Sequence, residues 1–199
     1  MRKMMAVLPF VIVLVLMVGC AKPPQDSINA AMASLDAAKP LASEYAASSL
    51  QAAEDAKAAL DAELKAQQDK FALFRSYKKS DELVADLKAK SDKAAADAAA
   101  GQEQAKNDAT TAISNATTAV ADAKALLEKA PKGKGSAADL EAMKADLTAA
   151  ESTINDANAA MAGAKYKDAK AKADAAASSA ANVTSQVQAA MEAKKAGRK

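Results

Sequence analysis

The sequence predicts an all-α protein, an elongated antiparallel helical bundle with coiled-coil-like seams. Three observations predict it. Alanine supplies 58 of the 199 residues, and alanine heads the helix-propensity scale, with Lys, Glu, Gln and Leu close behind. Glycine numbers six and proline five, so helices are rarely interrupted. The larger apolar residues recur at steps of three and four, and strand-like alternation is absent. A methyl side chain buries little area, so such a core is thin. Helices compensate by approaching closely, toward the short end of the usual spacing of about 8–10 Å.

Taken in order, residues 1–19 read as a signal peptide. Arg2 and Lys3 form a positive start, and an apolar run comes next, ending at Gly19 and Cys20. The run is short for a membrane span, which needs about 20 residues. Met17-Val18-Gly19-Cys20 resembles the lipobox of bacterial lipoproteins, with Met17 where leucine is commoner. That resemblance implies cleavage before Cys20, a diacylglycerol on its sulfur and an acylated amine, palmitate being a typical chain. Ala21, where enterobacterial sorting rules would place Asp for inner-membrane retention, implies an outer-membrane anchor facing the periplasm. On the residues alone, an ordinary N-terminal membrane anchor with an incidental cysteine remains the alternative. Cys20 is the only cysteine, so lipidation there leaves no disulfide.

Residues 20–26 form a linker, "AKPPQD" after the cysteine, with Asp26 or Ser27 placed to cap the first helix. A first helical unit is expected over 27–105 and a second over 106–196, with a basic tail at 197–199. Pro40 is expected to interrupt the first helix, with Ser43 and Glu44 opening the next. Leu50, Ala53, Leu60, Leu64, Phe71 and Phe74 share one seam, in which Lys57 and Gln67 are lapses. "RSYKKSDEL" (75–83) breaks that stripe, and Ser80 is placed to cap the next helix. The stretch from about 80 to 130 keeps its period through Leu83, Leu87, Ala94, Ala98, Ala105, Ala112, Ala119, Ala123 and Leu126. A continuous helix there would reach about 75 Å. "APKGKGSAADLE" (130–141) is a loop ending in a cap at Ser136. Leu140, Met143, Leu147, Ala150, Ile154, Ala157, Met161 and Ala164 step evenly by three and four. Gly163 sits where a helix would end. Tyr166, Ala169, Ala173, Ala176, Ala180, Val183 and Val187 form the last seam.

Ile28, Leu50 and Tyr77 have counterparts in the same order at Ile113, Leu140 and Tyr166, offset by 85, 90 and 89 residues. Two tandem three-helix units would result, the third helix of the first running into the first helix of the second, as in spectrin-like arrays. One long helical hairpin bundle without a repeat fits the same pattern. Residues 28–64 resemble a class of uncharacterised bacterial lipoproteins through Tyr45-Ala46, Leu50 and Ala53, with Ala47 where those carry proline. That resemblance implies an envelope location and helical hairpins, and it implies no catalytic site.

Chemistry is sparse. The chain has no histidine, and with Cys20 acylated it lacks the usual bases, nucleophile pairs and zinc ligands. Glu54/Asp55 and Asp81/Glu82 are sequence neighbours, which point to different faces of a helix, so they read as solvated surface. "PKGKGS" lacks the spacing and the preceding strand of a phosphate loop. Removing Arg2 and Lys3 from the 27 basic residues leaves 25 against 25 acidic ones, interleaved along the chain, which offers nothing to nucleic acid. No enzyme activity, cofactor, metal or small-molecule substrate is expected. Two roles remain: a structural element or tether between outer membrane and cell wall, or a periplasmic helical adaptor for a secretion, pilus or transport complex. An exposed Leu/Met/Phe patch would favour the adaptor. The end, Arg198-Lys199, resembles that of the murein lipoprotein family, which implies Lys199 as a candidate attachment point for peptidoglycan. Gly197 departs from that family, which carries an aromatic residue nearby. A basic tail suited to a helix C-terminus explains the same residues.

Overall fold

The computed structural model describes residues 22–130 and 137–196. Among them the chain forms five α-helices: α1 (Gln25–Tyr45), α2 (Ala47–Gln68), α3 (Lys78–Glu128), α4 (Ala137–Ala162) and α5 (Tyr166–Ala196). A short 3-10 turn, Ala72–Phe74, lies between α2 and α3. The protein is an all-α helical bundle. The described residues divide into two compact units at the boundary between Ala100 and Gly101, and α3 contributes a segment to each.

In the first unit, one apolar cluster joins Ile28, Ala31 and Leu35 of α1 to Ala53, Ala56 and Leu60 of α2 and to Val84 and Leu87 of α3. A second joins Ala38, Ala42 and Ala46 to Ala94 and Ala98. Helices α1 and α3 therefore run the same way and α2 returns between them. The start of α1, the end of α2 and the start of α3 share one end of this unit. In the second unit, Ala112, Ala116, Val120, Ala123 and Leu127 of α3 meet Met143, Leu147, Ala150 and Ile154 of α4 and Ala173, Ala176, Ala180, Val183 and Val187 of α5.

The two units bury the same register. Shifting Ser80, Val84, Leu87, Ser91, Ala94 and Ala98 by 89 residues gives Ala169, Ala173, Ala176, Ala180, Val183 and Val187, and all twelve are buried. A shift of 85 carries Ala31, Leu35, Ala38 and Ala42 onto Ala116, Val120, Ala123 and Leu127. A shift of 90 carries Ala53, Leu60 and Gln67 onto Met143, Ala150 and Ala157. These are the three offsets that pair Ile28 with Ile113, Leu50 with Leu140 and Tyr77 with Tyr166.

Several boundaries differ from the sequence expectation. Pro40 lies inside α1, which runs on to Tyr45. Pro40 faces outward, so water can satisfy the carbonyl its ring leaves unpaired, while Ala38 and Ala42 stay packed on the inner face. The Ser43 hydroxyl donates to the Pro40 carbonyl at 3.0 Å and caps nothing. The break falls at Ala46, whose φ of −145° and ψ of 47° leave the helical region. At the start of α1, Pro24 occupies the cap position and neither Asp26 nor Ser27 caps it. Proline there has no N–H to satisfy. Helix α3 starts at Lys78, with the Tyr77 carbonyl accepting from the Asp81 N–H at 2.9 Å. Ser80 is thus within the first turn, fully buried, and is no cap. The expected cap Ser136 and most of its loop lie outside the described residues. In α3 the buried line runs through Ala109, Ala116, Val120 and Leu127, with Leu83, Ala105, Ala119 and Leu126 half-buried at its edge. No residue from 99 to 108 is buried.

Helix α4 ends at Ala162, and Lys165 N–H donates to Ala160 O at 2.9 Å while Ala164 N–H donates to Met161 O at 3.1 Å. This is a Schellman closure, which wants a left-handed residue next to last. Ala164 takes that place with φ 56°. Gly163, the expected terminator, stands one position early.

Candidate functional site

The connection between α2 and α3 concentrates the features that the fold itself does not require. Helix α2 stops at Gln68, and the Gln67 side chain turns inward, 5% exposed. A buried amide must be paired, and this one is. Its Nε2 donates to Glu63 Oε1 at 2.6 Å, and its Oε1 accepts the Ser76 N–H at 3.0 Å. Arg75 closes the loop by donating Nε to Lys70 O at 3.0 Å and Nη2 to Gln68 O at 2.9 Å. The 3-10 turn is held by Phe74 N–H to Phe71 O at 2.9 Å. An ordered loop results, and its apolar side chains point outward. Phe71, Leu73 and Phe74 are 69%, 64% and 75% exposed, with the two rings 6.3 Å apart and tilted.

The spacing of the α2 seam places Phe71 and Phe74 in the core and makes Gln67 a lapse. The structure reverses this: Gln67 is core and the two phenylalanines are surface. The helix ends before the seam can carry them inward. One signal could have found them. The chain has three phenylalanines, and the two beyond Phe10 are these.

Cations surround the loop. Lys79 pairs with Glu63 across helices at 2.9 Å, and Lys65 pairs with Asp69 at 3.4 Å. The Lys79 hydrogen bond, helped by Gln67, holds the Glu63 carboxyl below its ordinary range, and Glu63 raises Lys79 in turn. At the other end of the unit the Ser49 hydroxyl donates to Asp97, which also takes Lys93 at 2.7 Å. The Lys93 hydrogen bond, then Ser49, lowers the Asp97 carboxyl. The Lys79–Glu63 and Ser49–Asp97 contacts tie α2 to α3, whereas Lys65–Asp69 and Lys93–Asp97 span four residues of one segment.

The remaining candidates are dispersed. Glu54 and Asp55 lie on α2, where Asp55 accepts from Gln51 at 2.9 Å. Asp81 and Glu82 are exposed. In the second unit an open hollow of about 330 Å³ lies beside Gly163, with Asp156 and Asp168 balanced by Lys165 and Lys172. Among the described residues no group of acidic side chains could hold a metal ion, and no helix is long and apolar enough to cross a membrane. Cys20 and Lys199 lie outside the described residues. No protein family, curated protein or solved structure matches this chain.

Proposed function

We propose that the chain is a cell-envelope lipoprotein, anchored through Cys20 in the outer membrane and facing the periplasm, where it acts as a structural element or tether. The observation that carries the reading is the order of a basic start, an apolar run and Met17-Val18-Gly19-Cys20. The helical body supports it. Among the described residues its core is closed largely by alanine, most of its ion pairs run along single helices, and α3 is a helix of 51 residues. Density-gradient separation of envelopes tests the reading. The wild-type chain should travel with the outer membrane and Cys20→Ser should not. Identical distribution of the two would defeat it.

A covalent tie to peptidoglycan through the Lys199 amine is the specific form of tether that the tail allows. Muramidase digestion of detergent-washed sacculi should release this chain with a muropeptide on Lys199. Complete recovery in the detergent fraction, unaltered by deleting Lys199, would remove that form. The second reading, a helical adaptor for an envelope protein complex, is favoured by the exposed Phe71, Leu73 and Phe74. Crosslinking in intact envelopes should then capture a defined protein at that loop.

A further inference from the structure

We propose that the 69–77 loop is a second membrane contact, in which Phe71, Leu73 and Phe74 enter the headgroup–acyl boundary while Lys70, Arg75 and Lys78 meet anionic headgroups. The proposal rests on the lipid-anchor reading for its orientation, and its test reads the loop separately from the anchor.

The repeat shows that the loop is extra to the fold. The second unit joins its equivalent helices through residues 163–165 alone. There the counterpart of Phe71 is Met161, packed against Ala109, Ala160 and Ala169. The first unit ends α2 a turn sooner and turns those residues outward, although burying them would stabilise a core otherwise poor in bulk. Exposure is not a matter of looseness, since Arg75 and Gln67 pin the loop with four hydrogen bonds.

Position and charge choose the occupant. The loop lies at the end of the unit where α1 begins. Four residues lie between Cys20 and Gln25, and the five steps from one to the other span at most about 18 Å of extended chain. A bilayer holding Cys20 is therefore within reach of this end. Residues 65–79 carry Lys65, Lys70, Arg75, Lys78 and Lys79 against Asp69 alone, five minus one, or +4, while the whole chain is +2. Lys65 and Lys79 are paired. Among the described residues Lys70, Arg75 and Lys78 form no salt bridge, although the Lys70 charge helps lower the Glu63 carboxyl, and Asp81 and Glu82 come one turn later. Aromatic and leucine side chains ringed by cations suit an anionic lipid surface. Three side chains present on the order of 500 Å², less than the ~800 Å² that a stable protein partner covers.

The chain contains no tryptophan, so Phe74→Trp gives a single reporter, with Leu73→Trp as a second in case the first perturbs the loop. The full chain is reconstituted into phosphatidylethanolamine vesicles with and without phosphatidylglycerol. Flotation reads the anchor, and quenching by lipids brominated near the headgroup reads the loop. The expected result is strong bromolipid quenching of the indole in either loop variant, and its shielding from acrylamide. Both should fall severalfold in Lys70→Glu/Lys78→Glu or without phosphatidylglycerol. A control tryptophan from Ser48→Trp, at the opposite end of the unit, should be quenched by acrylamide only. Vesicles that float while both loop reporters stay open to acrylamide would overturn the proposal with the anchor intact. Shielding from acrylamide without bromolipid quenching would also overturn it, and would give the patch to a protein.

Discussion

Ser80→Ala should make this protein more stable. Ser80 is fully buried in the first turn of α3, and its Oγ finds no hydrogen-bond partner among the described residues. An unpaired buried hydroxyl costs about 1–3 kcal/mol by mutational measures. Replacing serine by alanine within a helix adds up to about 0.5 kcal/mol. The second unit already carries alanine at the equivalent place, Ala169, equally buried. Ser91 supplies the control. It is just as buried, but its Oγ donates to Leu87 O at 2.8 Å, so Ser91→Ala should stay within about 0.5 kcal/mol of wild type. Urea and thermal melts followed by far-ultraviolet circular dichroism measure both. For a chain of this length each kcal/mol moves the thermal midpoint by about 2–4 °C. Ser80→Ala should therefore rise by about 2–12 °C and Ser91→Ala should hardly move. A Ser80→Ala midpoint at or below wild type, or an equal rise in Ser91→Ala, would show that the buried Ser80 hydroxyl carries no such cost.

Three further outcomes are expected. Ala164→Gly should stabilise by about 1 kcal/mol, because Ala164 holds φ 56°, a region that costs an L-residue about 1–2 kcal/mol and glycine nothing; an unchanged urea midpoint would contradict this closure of α4. Leu147→Asp should cost at least about 3 kcal/mol, since Leu147 is 1% exposed in the central cluster of the second unit and an unpaired buried charge is among the largest single losses; an unaltered melt would displace the seam. Glu63 has a lowered carboxyl, so its contribution to stability is full above its ordinary value of 4.5 and is lost as pH falls through the folded value below it. Glu63→Gln should accordingly flatten the acid side of the stability–pH curve, and an identical slope in the variant would show that the Lys79 pair contributes nothing.

Much of the helix content and the repeat was legible because both rest on period. The α5 seam from Ala169 to Val187 needed only its spacing, and every member is buried. What failed was local and depended on tertiary position. Pro40 reads as a breaker in one dimension, yet on an outward face it loses one bond that water replaces. Ser80 has a capping side chain, but the helix begins earlier and packs it inward. Phe71 and Phe74 continue the arithmetic of the α2 stripe, and no stripe tells that the helix stops at Gln68. The buried Gln67 explains that stop, because its amide holds the returning Ser76 backbone. The loop was therefore hidden by a polar residue that the pattern discounted. Cys20 and Lys199 stand on their sequence order.

The most direct test of the envelope reading is the intact mass of the protein extracted from cell membranes. The expected mass is that of a chain beginning at Cys20, heavier than the polypeptide by a diacylglycerol and an N-acyl group. Cys20→Ser should yield the uncleaved, unmodified chain. A protein that retains residues 1–19 and carries no lipid would contradict the envelope reading.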